Sequence, residues 1–179
     1  MFCGSTSGGH PEYRQAAETL GRRLAARGIG LVYGGAAVGL MGALADAALA
    51  AGGQVTGVLP RQMMDREIAH SGLTDLRVVG SMHERKALMT HLADGFVALP
   101  GGLGTFDELL ECLTWSQLGL HDHPVGMLDV GGYFEPLVAA FDRAVEEGFV
   151  QARHRDAVIV GTDADEVLDR LQDLAPARP

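Results

Sequence analysis

Short apolar runs alternate with stretches in which apolar residues recur every three or four positions, from one end of the chain to the other. The runs at Met1–Cys3, Ile29–Tyr33, Gln54–Leu59, Arg77–Val79, Gly95–Leu99, Pro124–Leu128 and Ala157–Val160 predict strands. The periodic stretches at Pro11–Arg27, Gly39–Ala51, Met82–Ala93, Thr105–Leu118, Tyr133–Glu147 and Asp163–Leu174 predict helices. Such alternation is the mark of repeated βαβ units. The expected fold class is therefore α/β, a three-layer sandwich around a mainly parallel sheet. Neither an internal repeat nor a long polar linker divides the 179 residues, so a single domain spanning residues 1–179 is expected. Only three residues precede Gly4, which makes the first strand short and suggests an abbreviated start, and the tail from Ala175 to Pro179 is expected to fray.

The 25 glycines are not spread evenly. Gly4, Gly8 and Gly9 follow the first predicted strand, Gly34, Gly35 and Gly39 the second, and Gly101, Gly102 and Gly104 the fifth. In open α/β sheets the ligand crevice lies beyond the carboxyl ends of the strands, so the glycines mark the place to look for a site. The net charge of −9 and the absence of any basic run argue against nucleic acid and against an anionic membrane surface as partners. A small phosphorylated ligand remains compatible, because a few local donors can outweigh a global field. Cys3 and Cys112 have no metal-ligand spacing and read as reduced thiols of a cytoplasmic protein. His121-x-His123 lacks a nearby third ligand, so no metal site is expected. No apolar run reaches the length of a membrane span, and the start lacks the pattern of a signal peptide.

The most informative stretch runs from Leu99 to Glu108, where an apolar strand empties into Pro100-Gly101-Gly102-Leu103-Gly104 and then a helix. Glycines let a backbone approach a phosphate closely, and the free N–H groups of a helix start point at it with the macrodipole behind them. No lysine follows the last glycine as in a Walker loop, and the dinucleotide fingerprint is incomplete. The same letters have a purely structural reading, since Thr105-x-x-Glu108 spells a capping box. Ser81-Met82-His83-Glu84 spells a second one, yet Arg85 and Lys86 follow it inside the first helical turn, where cations oppose the dipole. Either they face an anion or they pair on the surface with Glu84 or Asp94. Lys86 is the only lysine in the chain. The helix carrying Phe106, Leu109, Leu110, Leu113, Trp115 and Leu118 is apolar over much of its circumference, which fits ordinary core and also a homodimer face.

Taken together, Ser81 to Lys86, the Pro-Gly-Gly-x-Gly-Thr-x-x-Glu run ending at Glu108, and Thr114-Trp115-x-Gln117-Leu118-Gly119 resemble the LOG (Lonely Guy) family. The resemblance extends from Cys3-Gly4-Ser5 through Tyr33-Gly34-Gly35 and Val38-Gly39-Leu40-Met41-Gly42 to Glu147-Gly148-Phe149. It implies a Rossmann-like, usually dimeric phosphoribohydrolase, often mislabelled lysine decarboxylase, that splits an N6-modified adenosine 5′-monophosphate into base and ribose 5-phosphate without a cofactor or metal. It further implies a catalytic pair at Arg85 and Glu108. Substrate contacts are implied at Glu67, Lys86, Gly101, Gly102, Leu103, Gly104, Thr105, Phe106, Asp107 and Thr114. Ala36, Leu103 and Phe106-Asp107 depart from the family's frequent residues and bear on substrate preference. The rival expectation is a nucleotide or molybdenum-cofactor carrier on the same glycine-loop sheet, without chemistry.

Overall fold

The computed structural model describes residues 1–64 and 69–175. Helix α1 (Pro11–Ala26) leads to strand β1 (Leu31–Tyr33), helix α2 (Gly39–Ala50) and strand β2 (Val55–Pro60). Strand β3 (Asp75–Val79), helix α3 (Met82–Leu92), strand β4 (Phe96–Ala98) and helix α4 (Leu103–Gln117) follow. The chain closes with strand β5 (Val125–Leu128), helices α5 (Glu135–Glu146) and α6 (Ala152–Asp156), strand β6 (Val158–Gly161) and helix α7 (Ala164–Leu174).

The named strands pair in parallel, in the orders β1-β2-β3 and β4-β5-β6, and an isolated antiparallel bridge links Ala36 to Ala69. The first three residues join the two halves. The amino group of Met1 donates to the Val32 carbonyl at 2.8 Å, the Phe2 N–H donates to Val97 O at 2.9 Å, and the Leu99 N–H donates to Phe2 O at 2.9 Å. The predicted first strand is thus present as a single parallel bridge, Phe2 to Ala98, at the centre of the array. From this centre the chain runs outward through β1, β2 and β3, then returns to β4 and runs outward the other way. The strand order reverses between Phe2 and β4, which places the switch point beside Gly4 and the turn after β4.

Neighbouring residues of a strand point to opposite faces, and the core divides accordingly. Val97 and Leu99 pack with Leu20, Leu24, Leu44 and Leu168, from α1, α2 and α7. Phe96 and Ala98 pack with Met89, Leu109, Cys112 and Phe134, from the side of α3, α4 and α5. This is the expected three-layer arrangement. Helix α2 is apolar almost all round because it is covered on most sides; against α1 a Cβ on Gly21 would lie 2.4 Å from Leu44 O, so only glycine permits this approach.

The structure departs from the expected elements at several places: β1 and β3 begin at Leu31 and Asp75 rather than Ile29 and Arg77, and a single 3₁₀ turn spans Arg61–Met63. Helix α6 is short and was not foreseen. Helix α5 begins at Glu135 rather than Tyr133, because the buried Asp129 carboxylate accepts from the Phe134 N–H at 2.8 Å and holds the preceding turn open. Helix α4 begins at Leu103, two residues before the expected Thr105, on Gly102 as N-cap. Thr105 therefore does not cap the helix, and the Thr105-x-x-Glu108 capping box is not formed.

Candidate active site

Two glycine-rich turns meet at the switch point, and they differ in what their helix N-termini do. At α2, the Leu40 and Met41 N–H groups donate to Gly4 O at 3.0 and 3.3 Å. Gly39, at φ +62°, sits so close to the backbone of Ser5 and Thr6 that a Cβ would lie 2.3 Å from Ser5 C. That helix start is consumed by the chain itself. At α4, Gly102 has no side chain with which to cap, so the first-turn N–H groups of Leu103, Gly104 and Thr105 receive no side-chain cap. Gly101, Gly102, Leu103 and Gly104 form the turn, and the last three are exposed. Gly101 is obligatory, since a Cβ there would lie 2.1 Å from Thr105 Oγ1 and 2.8 Å from Gly4 N. The outcome is an open helix start with exposed backbone, suited to an anion.

Beside this turn, α3 and α4 bring Arg85 and Glu108 together. Arg85 Nη1 lies 3.5 Å from Glu108 Oε1, with side chains 7% and 10% exposed. Twenty-two intervening residues and a strand separate them in sequence, so the pairing is purely a product of the fold. Arg85 also donates to Met82 Sδ at 3.8 Å, while its Nε is buried with no partner among the described residues. The guanidinium lies under the carboxyl end of β1, where a Cβ on Gly34 would meet Nη2 at 2.1 Å. Burial pushes the Glu108 carboxyl above its ordinary value, and the Arg85 charge opposes that rise. A buried carboxylate whose proton affinity is raised, and which a cation keeps aimed, is a better proton acceptor than an exposed one.

Lys86 does not face the glycine turn as an unpaired cation. Its Nζ lies 2.9 Å from both Asp107 Oδ2 and Glu111 Oε2, clamping α3 to α4. Burial alone would lower its pKa, but the hydrogen bonds to Glu111 and Asp107 outweigh this and raise it. Ser81 caps α3 as expected, its Oγ accepting from the Glu84 N–H at 3.1 Å, but Glu84 reaches past the Ser81 N–H to that of Gly80 at 2.8 Å, so only half of the capping box forms. Phe106 is half-buried and its ring lies parallel to that of Tyr133, at 6.2 Å between centroids. Thr114 is about 15 Å further along α4 than Gly104, is exposed, and spends its hydroxyl on Leu110 O at 2.7 Å. Within one chain it is not part of the constellation. Glu67 lies outside the described residues.

His121, Cys3 and Cys112 add no reactive group to the pair. His121 donates through Nε2 to Cys112 O at 3.0 Å and accepts at Nδ1 from the His123 N–H at 3.2 Å, so both ring nitrogens are occupied. Burial pushes the Cys3 and Cys112 thiols up to about 12, which leaves them unreactive at physiological pH. A cleft of about 670 Å³, lined by Leu24, Ile29, Leu31, Val97, Leu168 and Leu171, opens at the amino ends of the strands, away from Arg85 and Glu108. Ligand crevices of such sheets lie at the other end.

Sequence reasoning missed Tyr133, and it noted Gly34 only as one of the glycines after the second strand, without its role. Tyr133 donates its hydroxyl to the Gly101 carbonyl from the turn after β5. Gly34 supplies the space that Arg85 occupies. Nothing in the local letters signals either, since each acts on a residue far away in sequence.

Comparison with known proteins adds the following. A family model described as "Possible lysine decarboxylase" matches residues 41–171. A probable cytokinin riboside 5′-monophosphate phosphoribohydrolase of Oryza sativa subsp. japonica is 48% identical over 172 residues, covering 96% of this chain and 77% of the relative. A cytokinin riboside 5′-monophosphate phosphoribohydrolase of Arabidopsis thaliana is 46% identical over 176 residues, covering 98% and 83%. Among solved structures, the molybdenum cofactor binding protein of Rippkaea orientalis superimposes with a TM-score of 0.71 at 21% identity, over 93% of this chain and 90% of that one. The molybdenum cofactor carrier protein of Chlamydomonas reinhardtii gives 0.69 at 23% identity, over 95% and 90%. At these identities the structural likeness speaks for the fold alone.

Proposed function

The chain belongs to the LOG family, and from that premise we propose that it hydrolyses the N-glycosidic bond of adenosine 5′-monophosphate or an N6-modified form, releasing the free base and ribose 5-phosphate. The observation that carries the reading is the buried Arg85–Glu108 pair beside an uncapped, glycine-lined helix start. The 5′-phosphate docks on the N–H groups of Gly101 to Thr105, and fixing it there orients the ribose, so that binding energy becomes positioning.

Glu108 acts at C1′. As the C1′–N9 bond lengthens, positive charge builds on the ribose ring and the carboxylate stabilises it. Water then bonds to C1′ through its oxygen and yields one proton to Glu108, while the electron pair of the broken bond leaves with the base, which takes up a proton. Arg85 keeps Glu108 ionised and aimed, a role supported by their 3.5 Å separation and shared burial. Phe106 and Tyr133 provide an apolar wall beside the glycine turn.

The family model's description suggests a pyridoxal enzyme instead, which needs a lysine that can lose its proton and form a Schiff base. Lys86, the only lysine, does not fit: two carboxylates hold it as a cation. The same reading includes a homodimer in the cytoplasm. Exposed Leu103 and Leu110 on α4 and Leu118 at its C-cap support the dimer, and the free thiols of Cys3 and Cys112 support the compartment.

The test is incubation of the purified protein with AMP, an N6-isopentenyl AMP, adenosine and lysine, with separation of the products. Base and ribose 5-phosphate are expected from the monophosphates and feeble turnover from adenosine. Absence of base release from every monophosphate would overturn the proposal.

A further inference from the structure

Tyr133 stands outside every motif that points to the site. Its ring is held from three sides, parallel to Phe106 (6.2 Å, 4°) and edge-on to Tyr13 (5.8 Å, 75°) and Phe134 (5.2 Å, 84°). So held, its hydroxyl donates to the Gly101 carbonyl. That carbonyl belongs to the Gly101–Gly102 peptide, the segment of the turn with the least steric control over its own orientation, since neither flanking residue has a Cβ. The freedom is unavoidable, because Thr105 and Gly4 leave no room for a side chain at Gly101.

In a trans peptide the C=O of one residue and the N–H of the next point in opposite directions. A donor on Gly101 O therefore turns the Gly102 N–H to the other, exposed side of the turn. The reverse orientation would present a carbonyl oxygen to an incoming phosphate. Donation to the carbonyl also polarises the same amide and makes its N–H a better donor. We propose that Tyr133 is a positioning residue for the phosphate group: it locks the Gly101–Gly102 peptide in the orientation that presents an N–H, not an oxygen, to the anion.

This inference rests on the phosphoribohydrolase reading for its substrate, but its test does not depend on turnover alone. Tyr133→Phe keeps the ring and its three aromatic contacts and removes only the donor. The KM and kcat for AMP, the kcat/KM for adenosine, and the affinity for inorganic phosphate are compared between wild type and Y133F. Loss of one neutral hydrogen bond predicts a rise in the KM for AMP and a weakening of phosphate binding by the same factor, about three- to tenfold. The kcat for AMP should fall by no more than the same factor, because a docked phosphate orients the ribose, and the kcat/KM for adenosine, which has no phosphate, should be nearly unchanged. A merely structural role would depress AMP and adenosine alike, and that result, or unchanged phosphate affinity, would overturn the inference. Wild-type protein that binds phosphate more tightly than Y133F, yet releases no base from AMP, would sustain the role of Tyr133 and sink the functional reading.

Discussion

Gly34→Ala is the sharpest test of whether the Arg85–Glu108 geometry matters. Gly34 is not among the glycines with positive φ, unlike its neighbour Gly35 at +82°, so alanine is allowed by the backbone. The difficulty is space. A Cβ at Gly34 would lie 2.1 Å from Arg85 Nη2 and 3.2 Å from Cζ, against ordinary contacts of 3.4–4 Å. The guanidinium, the far end of a flexible side chain, must retreat by more than about 1 Å, which takes it from the position in which it meets Glu108 at 3.5 Å. Misplacement of a catalytic group by about 1 Å costs roughly 100-fold in turnover, and the overpacking itself costs about 1–3 kcal/mol of stability. The assay is release of ribose 5-phosphate from saturating AMP, run well below the variant's own unfolding midpoint so that loss of fold is not mistaken for loss of geometry. Gly30→Ala is the matched control, because nothing lies within 4 Å of the position its Cβ would take. A folded G34A protein with wild-type kcat would show that Arg85 need not sit where it does, and the argument from the pair would fail.

Three further expectations follow from the same geometry. Glu108→Gln should bind AMP yet lose about 10²–10⁴-fold in turnover. The folded carboxyl's pKa is raised by burial, so its contribution favours folding below the ordinary 4.5 and is lost as pH rises through the folded value; Glu108→Gln, which cannot ionise, should therefore lose less stability than wild type as pH rises across that window. A Gln variant whose melting point falls with pH as steeply as that of wild type would contradict this. Arg85→Met removes the charge that opposes the rise, so the acid limb of the kcat profile should move to higher pH; an unmoved limb in a still-active variant would remove Glu108 as the titrating group. Lys86→Met should lower stability by roughly 1–2 kcal/mol in denaturant titration, by breaking two partly exposed ion pairs. An unchanged midpoint with a raised KM would instead make Lys86 a direct ligand of the substrate.

How far the sequence reveals this depends on the range of the interactions. Strand and helix existence is a local property of periodicity, and the predicted set recurs with its ends moved by a residue or two, apart from short α6. The start of α4 was misread because a capping box is a pattern of letters, whereas the cap is decided by backbone. Thr105 is buried inside the first turn with its hydroxyl against Gly101, and the N-cap falls on Gly102, which no capping rule would single out from sequence. Arg85 stood out because a cation in a first helical turn needs a reason. Lys86 stood out for the same reason but finds a different one, in Asp107 and Glu111. Tyr133 and Gly34 carry no such local anomaly, and only the folded chain shows what they touch.

The likeness to molybdenum-cofactor proteins sharpens what the site must explain. A carrier and a hydrolase can share this sheet and its glycine turn, because an open helix start serves any phosphate. Binding an anion is not helped by placing a carboxylate beside it, still less by burying that carboxylate until ionisation becomes unfavourable. Glu108 is 10% exposed, its proton affinity is raised by burial, and Arg85 is buried with it, which leaves one guanidinium nitrogen without a partner among the described residues. Each of these works against stability, and a neutral pair of similar volume would pack at least as well. Retaining an ionisable acid at such a cost is intelligible if the acid must take up a proton during a reaction. The shallower pH dependence of stability expected of Glu108→Gln, set against its expected loss of turnover, is therefore the measurement that separates a site built for chemistry from one built to hold a ligand.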